Sequence, residues 1–164
     1  MWHDVAMASA PEFTIDPSTI YRVTIETDKG NIVMDLDPRL APNSVNNFVT
    51  LARTGYYDGL NFHRVVPGFV IQGGCPKGTG TGDAGYKFAD EPVQGNYRDG
   101  AVAMANSGPD TNGSQFFICL GDQMGLPKQY NLFGHTVAGL EVVKTIGVGD
   151  VMNKLTIEER PIED

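Results

Sequence analysis

Cysteine, histidine and tryptophan are scarce in this 164-residue chain, with two, three and one respectively. Cys75 and Cys119 form no CxxC pair, and His3, His63 and His135 are scattered, so zinc-ligand spacing is absent. Cys119 lies in an apolar run and Cys75 at an expected strand end, where a buried structural thiol is favoured over a reactive one. Basic residues are also few: 12 Lys and Arg face 20 Asp and Glu, a formal charge of −8. No Lys or Arg run occurs, which argues against a phosphate-binding surface and against nucleic acid as a partner. No apolar stretch approaches the ~18 residues that suggest a membrane span, so no membrane partner is expected. Residues 1–18 contain no Lys or Arg and only a short, interrupted apolar run. They do not read as an intact signal peptide, but as a flexible natural extension, a processed remnant or a cloning scar preceding a domain over residues 19–164. Cytoplasmic is the default compartment, and a processed secreted form stays open.

What is abundant is glycine (20) and proline (10), which favours short strands joined by many turns. With 41% hydrophobic and 20% charged residues, the length suits one soluble globular domain. Residues 20–27 alternate, with Tyr21, Val23 and Ile25 on one face and Arg22, Thr24 and Glu26 on the other. After the turn residues Asp28-Lys29-Gly30-Asn31, Ile32, Met34 and Leu36 alternate against Val33, Asp35 and Asp37. This predicts an opening β-hairpin. Pro42-Asn43-Ser44 then starts a helix whose stripe is Val45, Phe48, Val49 and Ala52, ended by Gly55. Short apolar runs at 62–66, 69–71, 101–105, 115–120 and 132–137 predict further strands. A second helix fits 140–146, and 155–159 alternates like a closing strand. Many strands, two helices and no βαβ alternation predict a mainly β fold, a closed antiparallel barrel.

Familiar chemical motifs fail on inspection. Gly80-Thr81-Gly82-Asp83-Ala84-Gly85 matches GxGxxG, but no strand precedes it and no helical stripe follows, so an irregular loop is the better reading. Ser114 is not in a nucleophile elbow, and His63 and Arg64, as strand neighbours, point to opposite faces. Asp90-Glu91 reads as a solvated turn. Between Pro67-Gly68 and Gly74, alternation puts Phe69 and Ile71 on one face and Val70 and Gln72 on the other. Arg64 stands among apolar residues, and strand arithmetic leaves a snorkelling structural arginine and a functional one equally open.

Three motifs in order carry a resemblance: residues 62–74 (FHRVVPGFVIQGG), residues 104–118 (MANSGPDTNGSQFFI) and Phe133-Gly134. Over about residues 19–160 the chain resembles the cyclophilin-type peptidyl-prolyl cis–trans isomerases. The resemblance implies an eight-stranded antiparallel barrel capped by two helices, with the active groove on its outer face. It implies Arg64 as the catalytic arginine, Gln72 as the amide supporting it, and Phe69, Val70, Phe117 and Leu126 as the pocket for the substrate proline. Ala105, Asn106 and Gln115 resemble the groove residues that hydrogen-bond the peptide backbone, while Gly78 and Ser107 match positions flanking an adjacent subsite. The 126–134 pattern is similar to bacterial members. Gly125 stands where well-known eukaryotic members have Trp, and Tyr130, counted among the substrate-binding residues, where they have His. Weak cyclosporin binding is the corresponding expectation. The implied partners are proline-containing peptides and unfolded or flexible protein segments, met by a monomer that assists protein folding. The chemistry requires no nucleophile, metal or cofactor. A non-enzymatic proline-binding or chaperone module on the same barrel is the rival reading.

Overall fold

The computed structural model describes residues 10–162. The opening hairpin forms as the alternation predicts. β1 (Thr19–Thr27) and β2 (Gly30–Leu36) pair antiparallel with Tyr21 opposite Leu36 and Ile25 opposite Ile32, and all six apolar residues of the inner face are buried. Six strands follow: β3 (Arg64–Val66), β4 (Val70–Gly73), β5 (Ala101–Met104), β6 (Phe116–Cys119), β7 (Leu132–Ala138) and β8 (Lys154–Pro161). They join one eight-stranded antiparallel sheet in the order β3-β4-β6-β5-β7-β2-β1-β8. Its inner face, with Ile32, Met34, Ile71, Met104, Phe116 and Ile118, packs on Phe48 and Val49 of helix α1 (Pro42–Arg53).

Several local expectations are corrected. The run at 62–66 begins pairing as β3 only at Arg64, because the preceding residues bond elsewhere. Gly59 N donates to Met152 O (2.8 Å), Met152 N to Leu60 O (2.8 Å), Phe62 N to Asp150 O (2.8 Å) and Gly149 N to Phe62 O (2.9 Å). The second helix is a single turn, α2 (Leu140–Val143). It then tightens into i→i+3 bonds, Thr145 N to Val142 O and Ile146 N to Val143 O. Asp90-Glu91 is more than a solvated turn, and the start of α1 depends on it. No side chain caps the helix locally; instead the Glu91 carboxylate accepts Asn43 N (2.9 Å), Ser44 N (2.8 Å) and the Ser44 hydroxyl (2.7 Å). A carboxylate at a helix N-terminus satisfies free N–H groups and complements the helix dipole. Glu91→Ala is accordingly expected to cost about 1–2 kcal/mol in urea unfolding, with isomerase activity at 25 °C intact.

The segment before β1 reads from the sequence as a flexible extension. Between residues 12 and 16 it is docked instead. Ile15 joins the core, Asn46 on α1 accepts Thr14 N and donates to Glu12 O, and Asp16 N donates to the Tyr21 hydroxyl. The expectation for residues 1–9, Trp2 included, lies outside the described residues.

Candidate active site

β5 and β6 are buried on both faces, which explains their unbroken apolar runs, whereas β4 is buried except at half-buried Gln72. Inward residues enter the main core; outward Val70, Ala103, Phe117 and Cys119 form a second cluster with Tyr97 and Leu132, under the loops that carry Val93, Leu126 and Tyr130. Register then sets a row across the outer face. Arg64 pairs with Gln72, Gln72 with Phe117, Phe117 with Ala103, and Ala103 with Leu132. Five strands thus deliver a cation, an amide, an aromatic ring, a small residue and a leucine to one line.

A cleft of about 310 Å³ opens over this row, lined by Arg64, Phe69, Val70, Gln72, Ala105, Asn106, Phe117, Leu126 and Tyr130. Phe117 (5% exposed) and Val70 (2% exposed) form its floor. Phe69 corrects the strand parity expected from sequence: it precedes β4, in the turn begun by Pro67-Gly68, and packs with the outer cluster rather than beside Ile71. Tyr130 stands edge-on to Phe117, with ring centroids 5.5 Å apart and planes at 84°.

The polar side of the cleft is a directed chain. Gln115 Nε2 donates to the carbonyls of Gly80 (3.0 Å) and Gly82 (2.9 Å). Carbonyls only accept, so Gln115 must turn its Oε1 away from them. That oxygen accepts Gln72 Nε2 at 3.1 Å, which leaves Gln72 Oε1 to accept Arg64 Nη1 at 3.2 Å. Two main-chain carbonyls thereby fix both amides and, through them, the guanidinium. The Arg64 head also lies 5.9 Å from the Phe69 ring centroid, within cation–π range. One guanidinium face of bonds is spent on Gln72, while the exposed remainder faces the cleft.

Asn106 sits at the rim, its Nδ2 donating to Gln129 O at 2.8 Å. Beyond it a second cleft of about 250 Å³ is lined by Gln115, Ala105, Asn106 and Ser107, with Thr81, Asp83 and Lys87 on the far wall. Gly78 lines neither cleft and lies next to the Asn61 side chain. The glycine motif is the loop expected, with φ of 89° at both Gly80 and Gly85, and it supplies carbonyls to Gln115. Ser114 is no nucleophile. Its buried hydroxyl donates to Gly74 O (2.7 Å) and accepts from Tyr56 (3.0 Å), and among the described residues no hydrogen bond joins it to a histidine. Burial and the adjacent Arg64 hold the His63 pKa below its ordinary value. Both thiols are buried, and burial pushes Cys119 up to about 12. No cluster of three or more potential metal ligands occurs among the described residues. Tyr97, which closes the outer cluster, has no motif around it in the sequence and was not anticipated.

This arrangement offers a fixed cation beside an apolar slot, with amides along one edge and no nucleophile. Comparison with known proteins decides what uses it. The family model of the cyclophilin type peptidyl-prolyl cis-trans isomerase/CLD matches residues 22–164. The chain belongs to this family and is a peptidyl-prolyl cis–trans isomerase. It is 48% identical over 134 residues to peptidyl-prolyl cis-trans isomerase B of Bacillus subtilis, covering 80% of this chain and 93% of the relative. The Helicobacter pylori isomerase is 46% identical over 136 residues, covering 80% and 83%. Mouse peptidyl-prolyl cis-trans isomerase-like 1 is 42% identical over 163 residues, covering 96% and 94%. A crystal structure of a Cryptosporidium parvum cyclophilin-type isomerase superposes with a TM-score of 0.79 at 32% identity, covering 87% of this chain and 99% of that one. A second structure of that protein, obtained in the presence of the dipeptide Ala-Pro, gives 0.77. No helix among the described residues of this cyclophilin is long and apolar enough to cross a membrane.

Proposed function

We propose that this cyclophilin binds proline-containing segments of unfolded or flexible proteins in the 310 Å³ cleft and rotates the X–Pro bond through Arg64, so assisting folding. The observation that carries the proposal is the Arg64–Gln72–Gln115 chain, which holds a guanidinium at the mouth of an apolar slot. Rotation about an X–Pro bond faces a barrier of ~18–20 kcal/mol, because the nitrogen lone pair is delocalised into the carbonyl. In the twisted transition state that pair localises on a pyramidal nitrogen and becomes a hydrogen-bond acceptor. A donor aimed at this nitrogen stabilises the transition state and not the planar ground state, which is the condition for lowering the barrier. The ring rests on Phe117 between Phe69, Val70, Leu126 and Tyr130, while Ala105, Asn106 and Gln115 align the backbone. Ser107 flanks the neighbouring cleft, and Gly78 acts only through the fold of its loop. The same reading takes the sheet as a closed barrel. The hydrogen bonds between residues 59–62 and 149–152 join the chain entering β3 to the chain entering β8, the two ends of the strand order. A protease-coupled assay of Arg64→Ala on a proline tetrapeptide tests the proposal.

Cyclosporin supplies an independent check on the loop over the cleft. Gly125 is exposed and a Cβ placed on it would meet nothing within 4 Å, so this position gives the drug neither apolar area nor an indole donor. An aromatic side chain buries roughly 150–250 Å², and at ~25 cal/mol per Å² its absence weakens binding by tenfold or more. Calorimetric titration is expected to show weaker binding than in Trp-bearing members. Gly125→Trp should gain affinity while peptide turnover changes little. A folded Gly125→Trp that gains nothing contradicts this account of the loop.

A further inference from the structure

The loop that carries Leu126 and Tyr130 over the cleft has no regular secondary structure from residue 121 to 131, yet it must hold one wall of the pocket against Phe117. One buried residue reaches both ends of it. The Tyr97 carbonyl accepts Gln123 N at 2.7 Å. At its other end, the Tyr97 hydroxyl donates to Tyr130 O at 2.6 Å and accepts Tyr130 N at 3.2 Å. Between those anchors the loop closes on itself through Leu126 N to Gln123 O (3.1 Å), so the position of Leu126 follows from that of Gln123. The Tyr97 ring is 1% exposed and stands 6.5 Å from the Phe117 ring, directly behind the pocket floor. Burial pushes the hydroxyl pKa up to about 12, so it remains a donor across the working pH range.

We infer that Tyr97 is a positioning residue for the isomerase, strapping both ends of the 123–130 loop so that Leu126 and Tyr130 stand at proline-ring distance from Phe117. The inference rests on the reading of this cleft as the proline pocket. Tyr97 touches no substrate; it acts through the two walls it holds. Arg64 is anchored separately, through Gln72 and Gln115, so loosening the strap weakens capture of the ring and leaves the rotation step in place.

Tyr97→Phe keeps the ring and removes both hydroxyl bonds to Tyr130. It is expected to raise KM about three- to tenfold with kcat within about twofold of wild type. Amide hydrogen exchange of Tyr130 should accelerate at least about tenfold while the β6 amides keep their protection. Tyr21→Phe is the control: it loses a part-buried hydroxyl bond from Asp16 N, which belongs to the β1 end of the fold and not to the cleft lining, and should leave KM unchanged. Phe117→Ala, assayed beside them, separates the two layers of the argument. If Phe117→Ala is impaired and Tyr97→Phe keeps a wild-type KM, the strap is wrong and the pocket stands. If Tyr97→Phe and Tyr21→Phe raise KM alike, the effect is general loosening and the inference fails. If Phe117→Ala turns over peptide normally, the pocket reading falls and the strap with it.

Discussion

Arg64→Ala is expected to lose at least about tenfold in kcat/KM on a proline tetrapeptide, ~1.4 kcal/mol of transition-state stabilisation, in a protein that still folds. The side chain is exposed at the edge of the sheet and its head is held by Gln72 and by the face of Phe69, so its removal leaves no cavity in the core. Arg64→Lys should also be impaired. An ammonium keeps the charge but cannot bond Gln72 Oε1 and present a second, coplanar donor to the prolyl nitrogen in the same fixed geometry. The loss should fall on kcat more than on KM, because the bond to nitrogen exists only in the twisted state. Arg64 and Tyr97 substitutions therefore have opposite kinetic signatures.

The largest expected effect on stability comes from Gly134→Ala, at the end of the third motif. In β7, Gly134 lies opposite Leu36 of β2 and Val102 of β5, and a Cβ there would fall 2.5 Å from Asp35 O and 2.8 Å from Leu36 Cδ2. The first of these is backbone of a paired strand and cannot swing aside. Relief requires β2 and β7 to separate at Gly134, next to the register shift that β7 already carries against β5 between Val102 and Ala103. The expected cost is about 2–3 kcal/mol, a fall of roughly 5–10 °C in Tm for a domain of this size. Calorimetry on the purified variant checks it, and a melting temperature within a degree of wild type would show that the sheet opens there at little cost. Gly134 is a packing requirement rather than part of the chemistry.

How far the sequence disclosed all this varied with local physics. The opening hairpin and its buried face were legible, because one face of β1 and β2 is buried and period-two alternation survives in the sequence; only the turn was read too long, since Gly30 and Asn31 already pair as strand. The site strands were not, because β6 is buried on both faces and Phe116-Phe117-Ile118-Cys119 carries no parity. Phe69 was placed on the wrong face by counting through a turn as if it were strand. Glu91 and Tyr97 were beyond reach for another reason. The first caps a helix 47 residues earlier, and the second grips a loop 33 residues later, relations set by the fold and not by neighbouring sequence. The residues of the cleft itself came from the first two motifs and, for Leu126 and Tyr130, from the 126–134 pattern. Spacing alone left Arg64 undecided between snorkelling and function, and only the register row with Gln72 and Phe117 gives its placement a physical reason.

The central claim is that Arg64 acts on rotation and not on capture. Exchange spectroscopy by NMR on a proline tetrapeptide, with wild type or Arg64→Ala at catalytic concentration, measures cis–trans exchange directly, and a titration followed on the same amides gives Kd. The account predicts exchange at least about tenfold slower in Arg64→Ala, with Kd within a few-fold of wild type. A folded Arg64→Ala protein that exchanges the peptide at the wild-type rate, or loses exchange only in proportion to lost binding, contradicts it.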